Sequence, residues 1–388
     1  MNPLVQLESC GQSPWLDDLH RDLVRKGDLA TAIGEDGLKG LTSNPSIFEK
    51  GIGETDEYKD DLAALLDQGV LDDMRVYEAL AAEDIKGAAD LFRPVYDKHD
   101  RNDGFVSWEV SPYLANETDK TIEEAKRLWG IIGRDNLMIK IPGTHAGLPA
   151  IRDVIGAGIN VNVTLLFGIE AYAAVADAYM GGLEKLVRDG GDPSTIASVA
   201  SFFLSRIDVA VDERLKDLGD TAPGLVDKVT DKVGIASAKL AYARYKEIYA
   251  TPRWQALAAK GARPQRLLWA STGTKKTSLP DTYYIDSIIG RETVNTMPPA
   301  TLKAFRDHGT ATPDTIEQGM SEVADTMGAL QTLGLSIDEI TADLVKEGVV
   351  KFHDAFDKLL GGVAKKRREL ATHNDQSAPS GATKSIVA

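Results

Sequence analysis

Short apolar stretches recur along the chain, each bounded by turn residues and followed by a longer segment of helical character. The stretches predict eight strands: Gln12–Asp17, Leu38–Asn44, Gly104–Pro112, Leu137–Ile141, Asn160–Phe167, Ser198–Phe203, Arg266–Ser271 and Thr293–Met297. Helices are expected over 18–33, from Ser46, over 117–133, 147–155, 168–189, 204–215, 226–260 and 300–308, with further helices to about Arg368. Strand–helix alternation of this kind marks a parallel α/β protein. Eight units predict a closed (β/α)8 barrel of the TIM type, with a C-terminal helical extension. A doubly wound open sheet is the competing fold, weakened because no Gly-rich dinucleotide turn follows a strand. Residues 1–370 are expected to form one barrel domain, with inserted helices near 56–100 and 222–262. The polar, Gly/Ser/Pro-containing stretch 371–388 is expected to be a disordered tail.

Within the strands, side chains alternate between faces. Polar residues fall near the C-terminal ends: Asp17, Asn44, Glu109, Lys140, Asn162 with Thr164, Ser201 and Ser271, on strands one to seven in turn. Apolar residues flank several of them, as Ile139 and Ile141 flank Lys140 and Trp108 and Val110 flank Glu109. In a parallel barrel the flankers pack on the outer helices and the polar groups converge at the catalytic mouth. One such residue is ordinarily a satisfied core hydrogen bond. Seven strands doing so at the same end point to a site.

The fourth strand carries the sharpest signal, a lysine amid apolar neighbours followed by Pro142-Gly143-Thr144. An unpartnered ammonium inside a protein is costly, and the usual relief is a lowered pKa and a neutral, nucleophilic amine. Such an amine forms Schiff bases with ketones. The plainer reading is a lysine that pairs with a carboxylate or reaches past the strand end to water. Two nearby carboxylates, Asp17 and Glu109, suit the proton transfers of Schiff-base chemistry. Asn44, Asn162 and Ser201 suit a polyhydroxylated ligand. Arg206 and the Ser271–Lys276 turn suit an anion such as phosphate, although each alone is a common surface feature.

Composition narrows the partners. A net charge of −15 argues against sequence-independent nucleic-acid binding. No apolar run approaches membrane-spanning length, and the amino terminus lacks a secretory pattern, so no membrane partner and a cytoplasmic location are expected. The single cysteine, Cys10, allows no internal disulfide, and the six histidines show no ligand spacing, so no metal is expected.

The motifs Leu-Thr-Ser-Asn-Pro-Ser-Ile-Phe at 41–48, Ile-Lys-Ile-Pro-Gly-Thr at 139–144 and Asn-Val-Thr-Leu-Leu-Phe at 162–167 resemble those of the transaldolase family, in its actinobacterial and cyanobacterial branch. The resemblance runs from about Ser13 to Leu370. It implies that Lys140 forms a Schiff base with a donor ketose phosphate. Asp17 would exchange a proton with the C4 hydroxyl, and Glu109 with Thr164 would hold the water of imine formation. Asn44, Asn162 and Ser201 would bind the dihydroxyacetone portion, Arg206, Ser271 and Lys275 the phosphate, and Thr42 and Phe203 would also bind substrate. The implied reaction moves dihydroxyacetone from sedoheptulose 7-phosphate or fructose 6-phosphate to glyceraldehyde 3-phosphate or erythrose 4-phosphate, in the non-oxidative pentose phosphate pathway. It needs no cofactor, in a monomer or homodimer. A fructose 6-phosphate aldolase is the near alternative, against which Glu109 and Phe203 count, since related aldolases carry tyrosine in place of Phe203. A non-catalytic sugar-phosphate sensor is the alternative from another class. It would not require a reactive amine.

Overall fold

The computed structural model describes residues 2–218, 222–274 and 276–377, with side chains through 370. Eight parallel strands close into a barrel in sequence order, each hydrogen-bonded to the next and the first to the last. They are β1 (Gln12–Asp17), β2 (Gly40–Thr42), β3 (Phe105–Glu109), β4 (Leu137–Pro142), β5 (Val161–Leu166), β6 (Ser198–Phe203), β7 (Arg266–Ala270) and β8 (Thr293–Met297). Every strand except β1 is buried along its whole length, because helices cover the outside and side chains fill the inside.

The interior is stacked in layers. At the N-terminal end, Arg266 pairs with Asp103 at 3.1 Å and donates to Ser13 Oγ at 2.9 Å. Trp15 Nε1 donates to the same Asp103 carboxylate, so this end is plugged by a satisfied ionic cluster. Above it, Ser201 Oγ donates to Asn162 Oδ1 at 2.7 Å, and Asn162 Nδ2 donates to Ser107 Oγ at 3.0 Å. The C-terminal end is left for the site. Gly40 on β2 is required by this packing, since a Cβ there would lie 2.3 Å from the Trp15 ring.

Several expected boundaries move for physical reasons. The helix expected over 18–33 is two helices, Arg21–Arg25 and Asp28–Glu35, because Gly27 between them adopts φ +90°. The stretch 226–260 is likewise divided, into helices Pro223–Val229, Val233–Tyr249 and Pro252–Ala258, the last opened by Pro252 and the Thr251 cap. β5 does not alternate cleanly to its end. Leu165 takes φ +61° and the register with β6 shifts between Val163 and Leu166, a bulge that ends the period-two pattern just after Thr164.

The stretch near 56–100 forms helices Lys59–Asp67 and Asp73–Lys98. Arg21, fully buried, ties them to the barrel through Asp61 at 2.8 Å, Glu83 at 3.0 Å and Asp84 at 2.5 Å. The final helix, Ile337–Ser377, crosses the C-terminal end of the barrel. It runs into the stretch expected to be a tail; residues 378–388 lie outside those described. No described helix is long and apolar enough to cross a membrane.

Candidate active site

A cavity of about 650 Å³ opens at the C-terminal end of the barrel. Asp17, Thr42, Asn44, Lys140, Thr164, Ser201, Phe203, Arg206 and Ser271 all line it. Nine of the twelve positions singled out in the sequence therefore meet at one place. Glu109 and Asn162 lie just behind the lining: Glu109 against Lys140, and Asn162 beneath Ser201. Lys275 lies outside the described residues.

β4 delivers the lysine. Lys140 pairs in register with Glu109 on β3 and Asn162 on β5, so all three side chains face the barrel interior. The turn after β4 is tight. A Cβ on Gly143 would meet Leu166 Cδ2 at 2.6 Å, and one on Gly147 would meet the Pro142 carbonyl oxygen at 2.1 Å. Lys140 Nζ donates to the Ser43 carbonyl at 3.1 Å and lies 3.3 Å from Glu109 Oε2. The two side chains are only 5% and 4% exposed. Lys140 is thus paired with a carboxylate buried beside it, as the plainer reading of its strand has it.

The carboxylates differ in their surroundings. Burial raises the pKa of Glu109 above the ordinary range, against the opposing pull of Lys140 and with a further push from Asp17. Both Glu109 oxygens, and Thr164 Oγ1, lack a well-formed hydrogen bond among the described residues. Buried polar atoms of this kind call for a small polar partner such as water. Burial also raises Asp17, countered by Lys140, the Thr42 hydroxyl, Arg206 and Asn44. Thr42 Oγ1 donates to Asp17 Oδ1 at 2.7 Å, so Thr296 on β8, 2.7 Å from Thr42, is left to donate to Thr42. Thr296 lines the cavity as well and supplies the eighth strand with the polar position that the sequence reading left blank.

Local structure orients the remaining groups. Asn44 caps the helix Pro45–Phe48, its Oδ1 accepting from Ile47 N at 3.2 Å. Arg206 stands in the first turn of the helix Ser205–Asp217, half-buried, with its guanidinium carbon 5.2 Å from the Phe203 ring centre. No carboxylate lies within ion-pair distance of Arg206 among the described residues. Burial lowers its pKa, but a guanidinium remains a cation. Ser271, at φ +54° just beyond β7, faces Ser205 with the two hydroxyl oxygens 2.9 Å apart. A half-buried cation beside two hydroxyls is a place for an anion.

The sequence reading missed Lys50, Lys351 and Phe352, which also line the cavity. The last two come from the final helix, whose sequence holds no local sign of where it lies. The arrangement as a whole offers an amine to a carbonyl, two carboxyls to move protons, hydroxyls and amides to hold a polyol, and a cation to hold an anion.

Comparison with known proteins places the chain in a family. Residues 14–363 match the family model described as Transaldolase/Fructose-6-phosphate aldolase. A protein named transaldolase from Frankia alni is 47% identical over 363 residues, which span 94% of this chain and 97% of that protein. The transaldolase of Acidothermus cellulolyticus is 48% identical over 94% of this chain and 96% of its own length. A protein named transaldolase 2 from a Nostoc species is 45% identical over 96% of this chain and 99% of its own.

Proposed function

Because the chain belongs to the transaldolase/fructose-6-phosphate aldolase family, we propose that this transferase moves a dihydroxyacetone unit between sugar phosphates through a Schiff base on Lys140. Its donor is sedoheptulose 7-phosphate or fructose 6-phosphate, and its acceptor glyceraldehyde 3-phosphate or erythrose 4-phosphate, the chemistry of the non-oxidative pentose phosphate pathway. The observation that carries this reading is the buried Lys140–Glu109 pair, 3.3 Å apart, at a cavity that Asp17 also lines.

The donor ketone meets Lys140 Nζ, which adds to C2 and gives a carbinolamine. Glu109 accepts and returns the protons of this step, and with Thr164 holds the water that leaves. The iminium draws electrons from the C3–C4 bond. Ionised Asp17 takes the proton of the C4 hydroxyl as that bond breaks, the aldose phosphate departs, and a three-carbon enamine stays on Lys140. An incoming aldehyde is attacked by the enamine, and Asp17 returns its proton to the new hydroxyl. Water then releases the product from Lys140. Asn44, Thr42, Asn162, Ser201 and Phe203 contact or support the three-carbon unit, and Arg206 with Ser271 holds the phosphate. Lys275 adds a second cation to that phosphate site in this reading.

The transferase reading is tested by acceptor dependence. With fructose 6-phosphate and erythrose 4-phosphate, sedoheptulose 7-phosphate and glyceraldehyde 3-phosphate are expected in equal amounts, with little free dihydroxyacetone. Brisk release of dihydroxyacetone without any acceptor would instead make the enzyme an aldolase.

A further inference from the structure

The final helix sets an aromatic ring beside the reacting nitrogen. Phe352 is buried, lines the cavity, and its ring centre lies 5.6 Å from Lys140 Nζ. Its position is built rather than incidental, because the helix is fixed to the barrel rim on both sides of it. Gly348, one turn earlier, lets the helix approach Leu165 at the β5 bulge; a Cβ there would lie 2.8 Å from Leu165 Cδ2. His353 Nε2 donates to the Pro112 carbonyl beyond β3 at 2.7 Å. Phe356 sets its ring edge-on against Tyr77 at 5.5 Å and Tyr113 at 5.6 Å. Further along, Gly362 passes so close to Gly53 that a Cβ would sit 3.0 Å from its Cα. Four contacts with separate parts of the rim hold one side chain over the amine.

We propose that Phe352 is a specificity-determining residue that keeps water from the three-carbon intermediate on Lys140, and so favours transfer over release. The proposal rests on the Schiff-base reading above. Release without transfer needs two steps. The enamine takes a proton from solvent at C3 to give the iminium of dihydroxyacetone. Water then adds to C2 and gives one proton back to solvent, leaving a neutral carbinolamine. The carbinolamine loses a proton from its new hydroxyl, the C–N bond breaks, the amine nitrogen takes up that proton, and free dihydroxyacetone leaves Lys140 as it began. Both steps bring water or a proton to atoms next to the nitrogen. Most of the side chains around that point are polar, among them Asp17, Asn44, Thr164 and Ser201, and would seat water readily. Phe352 presents an apolar face there instead. Within about 6 Å a ring face also favours a cation, so the same side chain stabilises the iminium while denying it a hydration shell.

The test compares Phe352→Ala and Phe352→Leu with the native enzyme. For each, dihydroxyacetone release without acceptor is divided by sedoheptulose 7-phosphate formation with erythrose 4-phosphate, and the three-carbon adduct on Lys140 is trapped by borohydride at intervals. The quotient does not depend on the folded fraction. Phe352→Ala is expected to raise it about tenfold and to shorten the adduct's lifetime in proportion. Phe352→Leu, which keeps an apolar side chain of similar bulk, is expected to stay within about threefold of the native value. An unchanged quotient in Phe352→Ala, with the native adduct trapped normally, overturns this role for Phe352 and leaves the Schiff base standing. A native enzyme that forms no adduct overturns the Schiff-base reading, and this inference with it.

Discussion

Thr42 donates its hydroxyl to Asp17 Oδ1 at 2.7 Å and is itself backed by Thr296 at 2.7 Å. A relay of two threonines therefore occupies one oxygen of the carboxylate. The bond favours the ionised carboxyl, opposing the burial that raises its pKa. Thr42→Val removes that support, so Asp17 ionises only at higher pH. The acid limb of kcat/KM is expected to move up by about one pH unit, and Thr42→Ser to restore it. An unmoved limb in Thr42→Val would separate Thr42 from the proton chemistry.

Asp17 and Glu109 are assigned to different steps, and their variants are expected to stall at different points. Asp17→Asn keeps the amine and its partner but cannot accept the C4 proton. It is expected to lower kcat by roughly 10²–10⁴-fold while the uncleaved six-carbon adduct accumulates on Lys140. Glu109→Gln is expected to slow formation of that adduct instead, and with it the exchange of ¹⁸O from labelled water into the fructose 6-phosphate carbonyl. Rapid mixing followed by borohydride quench distinguishes the two.

Arg206 is a half-buried cation at the cavity wall, with Phe203 as its ring neighbour. Hydrogen bonds to charged groups contribute about 1.5–3 kcal/mol, so Arg206→Met is expected to raise KM for fructose 6-phosphate roughly ten- to a hundredfold. For unphosphorylated fructose, a poor substrate of the native enzyme in this account, kcat/KM is expected to change less than about threefold. Equal losses for both sugars would take Arg206 out of the phosphate site.

Asp208 lies on the same helix but faces away from the cavity, into the protein. Its carboxylate accepts from Tyr284 OH at 2.6 Å and Gly234 N at 2.8 Å, and burial pushes its pKa up to about 6 from an ordinary 3.8. Between those values the folded chain binds a proton that the unfolded chain has lost. The stabilising contribution is complete below pH 3.8 and is lost as the pH rises through about 6. At neutral pH the charged group costs on the order of 2–3 kcal/mol relative to acid. Asp208→Asn removes that dependence. Its melting temperature, measured against the native enzyme from pH 4 to pH 7, is expected to rise by a few °C relative to native. A constant difference across the range would contradict this.

Much of this was legible in the sequence, because the relevant information is local. Strand alternation predicts which side of β4 carries Lys140, and a parallel barrel brings the same end of every strand together, so polar residues scattered from Asp17 to Ser271 meet at one cavity. Where local pattern and structure part, a backbone feature or a distant contact is responsible. Strict alternation would put Leu165 and Leu166 on opposite faces of β5, but φ +61° at Leu165 breaks the period. Asn162 was expected to touch ligand, yet its amide bonds Ser107 and Ser201 and it lies beneath the lining, a consequence of barrel stagger that one strand does not reveal. Thr296 sits where Thr, Asn and Met follow closely on β8, and only the bond to Thr42 marks which one matters. Phe352 had no local sign at all. It reaches Lys140, 212 positions earlier in the chain, because the final helix crosses the barrel mouth, and that placement is decided by contacts at Leu165, Pro112 and Tyr77.

The central claim is that Lys140 is the nucleophile, and borohydride trapping tests it most directly. The enzyme is incubated with fructose 6-phosphate, reduced, digested and mapped by peptide mass. A reduced three-carbon adduct on the peptide containing Lys140, absent from Lys140→Met, is the predicted result. Folded enzyme that binds the sugar yet carries no adduct at Lys140, or carries it on another lysine, would contradict the account.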